Sequence, residues 1–209
     1  MVVPTGDESA VWARAFPARL ADDVAVVVAA LSAASHGTSA HTIDSPRRPR
    51  GIVVDGEVVE IPARQYHGGM DAPDRARLTS TQLGVAACIH SRHHDGRERQ
   101  AWLPSLLTFD EPCASPFIVQ LLGEYVVEIV TEIESTLRSG STAASTIERL
   151  VAFMEENAPF VARTRDRARS YWWKYHTYAY ATFADYPAAR ALDLLAGRVL
   201  GVSSEKRRT

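Results

Sequence analysis

Cysteine is scarce in this chain of 209 residues: there are two, Cys88 inside an apolar run and Cys113 after Pro112. Neither belongs to a CxxC pair or to an even, closely spaced framework, so disulfide stapling is excluded and a reducing, cytoplasmic setting is expected. A long apolar run is missing as well. The longest, Val24 to Ala34, falls short of the ~18 residues of a membrane span. It follows Asp22 and Asp23, where a secretory signal would carry basic residues. Bulk charge is absent, with a net charge of -2 and a pI near 6.4, so nothing in the overall balance attracts nucleic acid or anionic lipid. Lysine is nearly absent too: of 23 basic residues only Lys174 and Lys206 are not arginine. Together with abundant alanine, that skew is the mark of a GC-rich bacterial genome and weakens any argument from arginine clusters alone. There is no GxSxG, no GxGxxG, no glycine-rich phosphate loop and no internal repeat, which argues against the common enzyme classes and against a solenoid.

What is present is an ordinary globular composition, 46% hydrophobic and 23% charged, punctuated by helix starts. Capping pairs Thr5 with Glu8, Thr79 with Gln82, Asp95 with Glu98 and Ser145 with Glu148, and the Ser115-Pro116 step adds a fifth start. The reading is a mainly α protein, a helical bundle or orthogonal helical array with one short β-hairpin near residues 52-61. Residues 1-202 are expected to form a single domain with a loop-hairpin-loop insertion at about 36-78, followed by a frayed basic tail at 203-209. The first helix runs from about Glu8 to Ser35, bent or broken at Pro17, with Val24, Val27, Val28 and Leu31 on one face. Asp55-Gly56 between two β-branched runs predicts a type I′ hairpin. Residues 36-50 and 68-77 read as loops. The segment from Ser80 to about His93 is apolar all round between Leu83 and Ile89, so it belongs in the core. Ile118, Leu121, Tyr125, Ile129, Ile133 and Leu137 keep helical spacing and predict one long spine helix over 116-137, with Tyr125 inside.

Residues 79-107, with Asp95 in an inter-helix turn and Arg99 four residues on, resemble a single helix pair of a HEAT-type repeat. The resemblance implies a helix hairpin and carries no function.

Three clusters could carry chemistry. His90, His93 and His94 form an HxxHH group at helical spacing; His90 and His94, with Glu124 and Glu128 of the spine, would make a divalent metal site able to activate water for hydrolysis. Glu124, Glu128 and Glu132 form an acidic stripe whose counterpart is Arg163, Arg165, Arg167, Arg169 and Lys174, and the two either pair within the fold, the preferred arrangement, or each face water or a partner. The run from Tyr171 to Tyr180 places Ala168, Tyr171, Tyr175 and Tyr178 at core spacing. Its surplus rings leave an interaction surface of Arg163, Arg167, Trp172, Trp173, Lys174, His176 and Tyr180. The first functional reading is therefore a non-enzymatic interaction or scaffold module, with a protein partner or self-association, no membrane and no cofactor. The alternative is the metal-dependent hydrolase. Single-stranded nucleic acid held by the Arg163 to Lys174 helix ranks below both.

Overall fold

Pro17 divides the N-terminal helical stretch, because its ring fixes φ and removes a donor from the ladder. The computed structural model describes residues 6–34, 41–43, 51–140 and 142–205. It has helix α1 at Gly6–Ala13, a 3-10 turn at Ala18–Leu20 and helix α2 at Ala21–Ala34. The expected stripe of Val24, Val27, Val28 and Leu31 is buried, together with Trp12 and Phe16. The Thr5 cap, residues 36–40 and 44–50 of the expected loop, and residues 206–209 of the tail lie outside the described residues. The chain is mainly α-helical with short antiparallel strands, and it groups into two compact units, Met1–Phe109 and Asp110–Thr209.

In the first unit, strands β1 (His41–Ile43), β2 (Ile52–Val54), β3 (Glu57–Val59) and β4 (Arg64–Tyr66) make two ribbons, β2 with β3 and β1 with β4. The β2-β3 hairpin is the expected one. Asp55 and Gly56 take φ of 54° and 76°, the pair of positive values that a type I′ turn requires. Ile52, Val54, Val59 and Ile61 point inward, while Val58 is exposed. The hairpin clasps the Pro17 break. Ala18 N–H donates to Glu57 Oε2 at 2.9 Å, Arg19 pairs with Asp55 at 3.1 Å, and Glu60 N–H donates to Arg14 O at 2.8 Å. The β1-β4 ribbon corrects the reading of 36–50 as loop throughout: a three-residue strand is too short to display a period and forms only because its partner is supplied from elsewhere. Within 68–77, likewise, Asp71 accepts from Asp74 N–H at 2.8 Å and caps a short helix α3 at Ala72–Arg75.

Helix α4 spans Ser80–His90 and starts on the expected Thr79-Gln82 capping box. Its residues from Gly84 to His90 are buried, and it packs against α2 and against helix α5, Gly96–Thr108. Asp95 caps α5 by accepting from Arg97 N–H at 2.9 Å, so the expected reciprocal bond with Glu98 is not made and Glu98 is left for other work. Gly84 permits the closest approach in this unit: a Cβ there would overlap the ring of Phe109. Gly84→Ala is therefore expected to destabilise by about 1 to 3 kcal/mol through forced repacking, and urea unfolding measures it.

The second unit opens with a 3-10 turn at Pro112–Ala114 and helix α6 at Ser115–Leu121, buried over its whole length. The expected spine stops there. A turn over 122–126 separates α6 from helix α7, Val127–Ser139, which ends on Gly140 with φ of 72°. The interruption has a packing reason, because at Gly123 a Cβ would lie 3.2 Å from both Cγ2 and O of Thr164. Ile118, Leu121, Ile129, Ile133 and Leu137 are buried as expected, whereas Tyr125, at the interruption, is 46% exposed. Helices α8 (Ala144–Glu156) and α9 (Ala158–Tyr171) follow, then a π-helical turn at Trp172–His176, a 3-10 turn at Phe183–Asp185 and helix α10 at Pro187–Glu205. Helix α10, extending past the expected frayed point, contacts α7, α8 and α9 and takes the central place assigned to the spine. Ser145 does not cap α8; its hydroxyl donates to Asp110 at 2.9 Å, and Arg149 pairs with the same carboxylate.

Candidate functional site

Two places gather side chains beyond the needs of packing, one in each unit. In the first, the backbone of β4 and of the two residues before it is strapped to the α4-α5 turn. Gln65 N–H donates to Arg92 O at 2.9 Å, and His94 N–H to Gln65 O at 2.8 Å. The buried Arg92 guanidinium donates to Pro62 O at 3.2 Å and to Ala63 O at 2.6 Å. Arg99, also buried, donates to His93 O at 2.8 Å and His94 O at 3.0 Å, satisfying carbonyls that the turn would otherwise orphan.

The strap delivers His67 to the histidines of the turn. The rings of His67 and His90 are 4.7 Å apart at 86°, those of His67 and His93 4.7 Å apart at 68°. His93 Nδ1 accepts from Asp95 N–H at 3.1 Å, so its Nε2 carries the proton and donates to His67 O at 3.0 Å. His67 donates from Nδ1 to Gly68 O at 2.7 Å. Its Nε2 is then a bare acceptor, buried and without a hydrogen bond, and the two nitrogens of His90, one a donor and one an acceptor in the neutral ring, are likewise buried without a hydrogen bond. His90 stacks on Trp102 at 4.3 Å, with the Arg75 guanidinium 4.2 Å over the same indole, and its Nδ1 lies 3.9 Å from Glu98 Oε2, too far for a hydrogen bond. Burial holds His90 well below the ordinary histidine range, with His67, His93 and Arg75 adding repulsion. Burial likewise pushes His67 down to about 4, against a smaller upward pull from its bond to Gly68 and with His93 and His94 adding to the depression. Both rings are neutral near pH 7.

His94 takes no part in the His90 environment, since it is exposed and stacks on Tyr66 at 4.4 Å. Of the other residues expected to ligate a metal, Glu124 is fully buried and Glu128 exposed, both in the second unit. Among the described residues, no three His, Cys, Asp or Glu side chains are grouped so as to hold a metal ion. In the sequence, Tyr66 and His67 before Gly68-Gly69 read as loop rings that line a pocket or lie as a lid on the core, with nothing to pair His67 with His90. Its meeting with His90 rests on the strap, which no spacing announces.

The second place is the outer side of α9 and the turn after it. The π turn takes up about one residue more than an α turn, and this shifts the phase of everything beyond Trp172. His176 therefore goes inside, donating from Nε2 to Tyr125 O at 3.0 Å and stacking on Tyr186 at 5.4 Å. Tyr175 and Tyr178, expected in the core, face out, and only Ala168 of that set is fully buried. Trp172 and Tyr180 are half-buried. The Trp172 indole donates to Tyr180 O at 2.9 Å and packs on Phe183 at 5.8 Å, while the Tyr180 ring lies 5.4 Å from Tyr186. Those two residues and His176 thus build the turn, and the outward set is Arg163, Arg167, Trp173, Lys174, Tyr175 and Tyr178. Trp173 is 72% and Tyr178 87% exposed.

The expected acidic stripe is divided in the same way, with Glu124 inside and Glu128 outside. Arg165 pairs with Asp193 of α10 at 2.7 Å rather than with that stripe, and the Arg169 guanidinium sits 4.8 Å over the Phe183 ring. Among the described residues, no helix is long and apolar enough to cross a membrane. Set against known proteins, the chain finds no counterpart: no family model, no curated protein and no solved structure matches it.

Proposed function

We propose that this protein is an interaction module whose second unit docks a protein partner through the outer side of α9 and the π turn. The observation that carries this reading is the exposure of Trp173 and Tyr178, at 72% and 87%, on a turn held rigidly from within by His176 and Trp172. Large aromatic rings are not left in water without cost, and Trp, Tyr and Arg are the residues that dominate binding energy at protein interfaces. A fixed turn also limits the entropy lost on docking. Deleting both rings is expected to remove binding and spare folding, since neither ring is in the core. Affinity capture with the native chain and with a Trp173→Ala, Tyr178→Ala variant, combined with light scattering on a sizing column, tests this. A partner or self-association present in the native chain and lost in the variant is expected. A strict monomer that retains nothing would refute the reading.

A further inference from the structure

Helix α9 sorts its cations between two sides. Arg165 and Arg169 engage residues of their own unit, the first on Asp193 and the second, itself exposed, over the Phe183 ring. Arg163 and Arg167 are exposed, and neither makes an ion pair or hydrogen bond among the described residues. Their i, i+4 spacing sets them on one stripe with a rise of ~6 Å between them. Like charges so placed repel mildly, and the only acidic residue between Arg163 and Lys174 is Asp166. Lys174 prolongs the cationic side into the π turn, its ammonium 5.1 Å from the ring of Tyr175. Next to these cations a row of tyrosines is assembled, Tyr125 to Tyr171 at 5.9 Å and Tyr171 to Tyr175 at 6.3 Å, with Trp173 and Tyr178 standing further out.

Resting on the docking reading above, we infer that the occupant of this surface is an acidic polypeptide segment whose carboxylates meet Arg163, Arg167 and Lys174 and whose apolar side chains cover Trp173 and Tyr178. Charge complementarity decides the sign of the partner: Arg163 and Arg167 face water without an ion pair among the described residues, and the exposed cations that follow them along the chain, Arg169 and Lys174, meet aromatic rings rather than carboxylates. The rings decide in favour of polypeptide over nucleic acid. Binding of single strands depends on phosphate neutralisation by many cations and on rings with open faces. Here the exposed cations are four, Arg163, Arg167, Arg169 and Lys174, in a chain of net charge -2, and Tyr125, Tyr171 and Tyr175 are engaged with one another, which leaves Trp173 and Tyr178 as the exposed rings outside that row. Carboxylates beside an arginine and apolar groups over an indole are, by contrast, the ordinary contents of a protein interface core and rim.

Selection of a random linear peptide library against the full chain tests the inference, with oligo(dT) titrated in parallel. The expected result is a net-negative consensus containing aromatic or aliphatic anchors. Binding of a synthetic peptide of that consensus should fall by about tenfold or more in the Arg163→Glu, Arg167→Glu variant and weaken with added salt, as solvent-exposed charge pairs at an interface rim do. Peptides of neutral or basic consensus that depend on Trp173 and Tyr178 but not on the arginines would overturn the acidic partner and leave the docking reading standing. No enriched peptide, or oligo(dT) bound in preference to every peptide, would overturn the acidic segment as occupant, while capture and light scattering decide the docking reading separately. All four substituted residues are exposed, and circular dichroism of each variant separates lost binding from lost folding.

Discussion

Replacing Ile129 by alanine is expected to lower the stability of the second unit by about 2 to 5 kcal/mol, a large share of what holds a typical domain together. Ile129 has no exposed surface, and with Val130, Ile133 and Leu137 it forms the buried side of α7, which packs on α10. Truncation there leaves a cavity that two helices must collapse to fill. Val53→Ala, at the half-buried middle of a three-residue strand opposite the exposed Val58, is expected to cost less than about 1 kcal/mol, because little apolar area leaves water there. Urea unfolding, with hydrogen exchange of the Val127–Ser139 amides as the local reporter, measures both. If Val53→Ala were the more damaging change, the hairpin would be supporting a core now assigned to α7.

Acid is expected to act on the first unit at a pH where most carboxylates are still ionised. His67 in the folded chain titrates at about 4, against 6.5 in an unfolded one. The unfolded state therefore binds the proton first, and stability is lost as pH falls from about 6.5 and levels off near 4. The gap corresponds to about 3 kcal/mol for His67 alone, and His90, depressed in the same direction, adds to the loss. Above pH 7 the profile should be flat. Hydrogen exchange of the strap over 62–70 and of α4, corrected for intrinsic rates and followed from pH 7.5 to pH 4, gives the profile; His67→Phe should flatten part of it. Protection unchanged across that range would mean that these rings are hydrated and titrate normally.

The legible part of the fold is local chemistry. Thr79 with Gln82 announced α4, Asp55-Gly56 announced a turn whose φ values are the expected ones, and the Val24 to Leu31 spacing identified the buried side of α2. Where a residue had two possible local roles, the pattern misled. Asp95 and Glu98 satisfied a capping motif on paper, yet Asp95 bonds Arg97 N–H and Glu98 turns toward His90. Ile118 to Leu137 kept helical spacing through an interruption, because the two helical pieces on either side of 122–126 still bury the same kinds of residues.

By itself the sequence determined the helical class, the hairpin, the apolar sides of α2 and α7, the all-round apolar α4, and the presence of more aromatic rings between Tyr171 and Tyr180 than one side of a helix can bury. Each of these depends on groups within about four residues of one another, the range over which helical and turn hydrogen bonds act. Only the tertiary structure decided which rings are outside. A single π turn moved His176 in and Tyr175 and Tyr178 out, and the reward for that shift, a bond to Tyr125 O and a stack on Tyr186, comes from residues far away in the chain. The same holds for His67 and His90: their contact follows from backbone bonds between the strap and the α4-α5 turn, and such bonds leave no trace in side-chain order because every residue but proline supplies the same N–H and C=O.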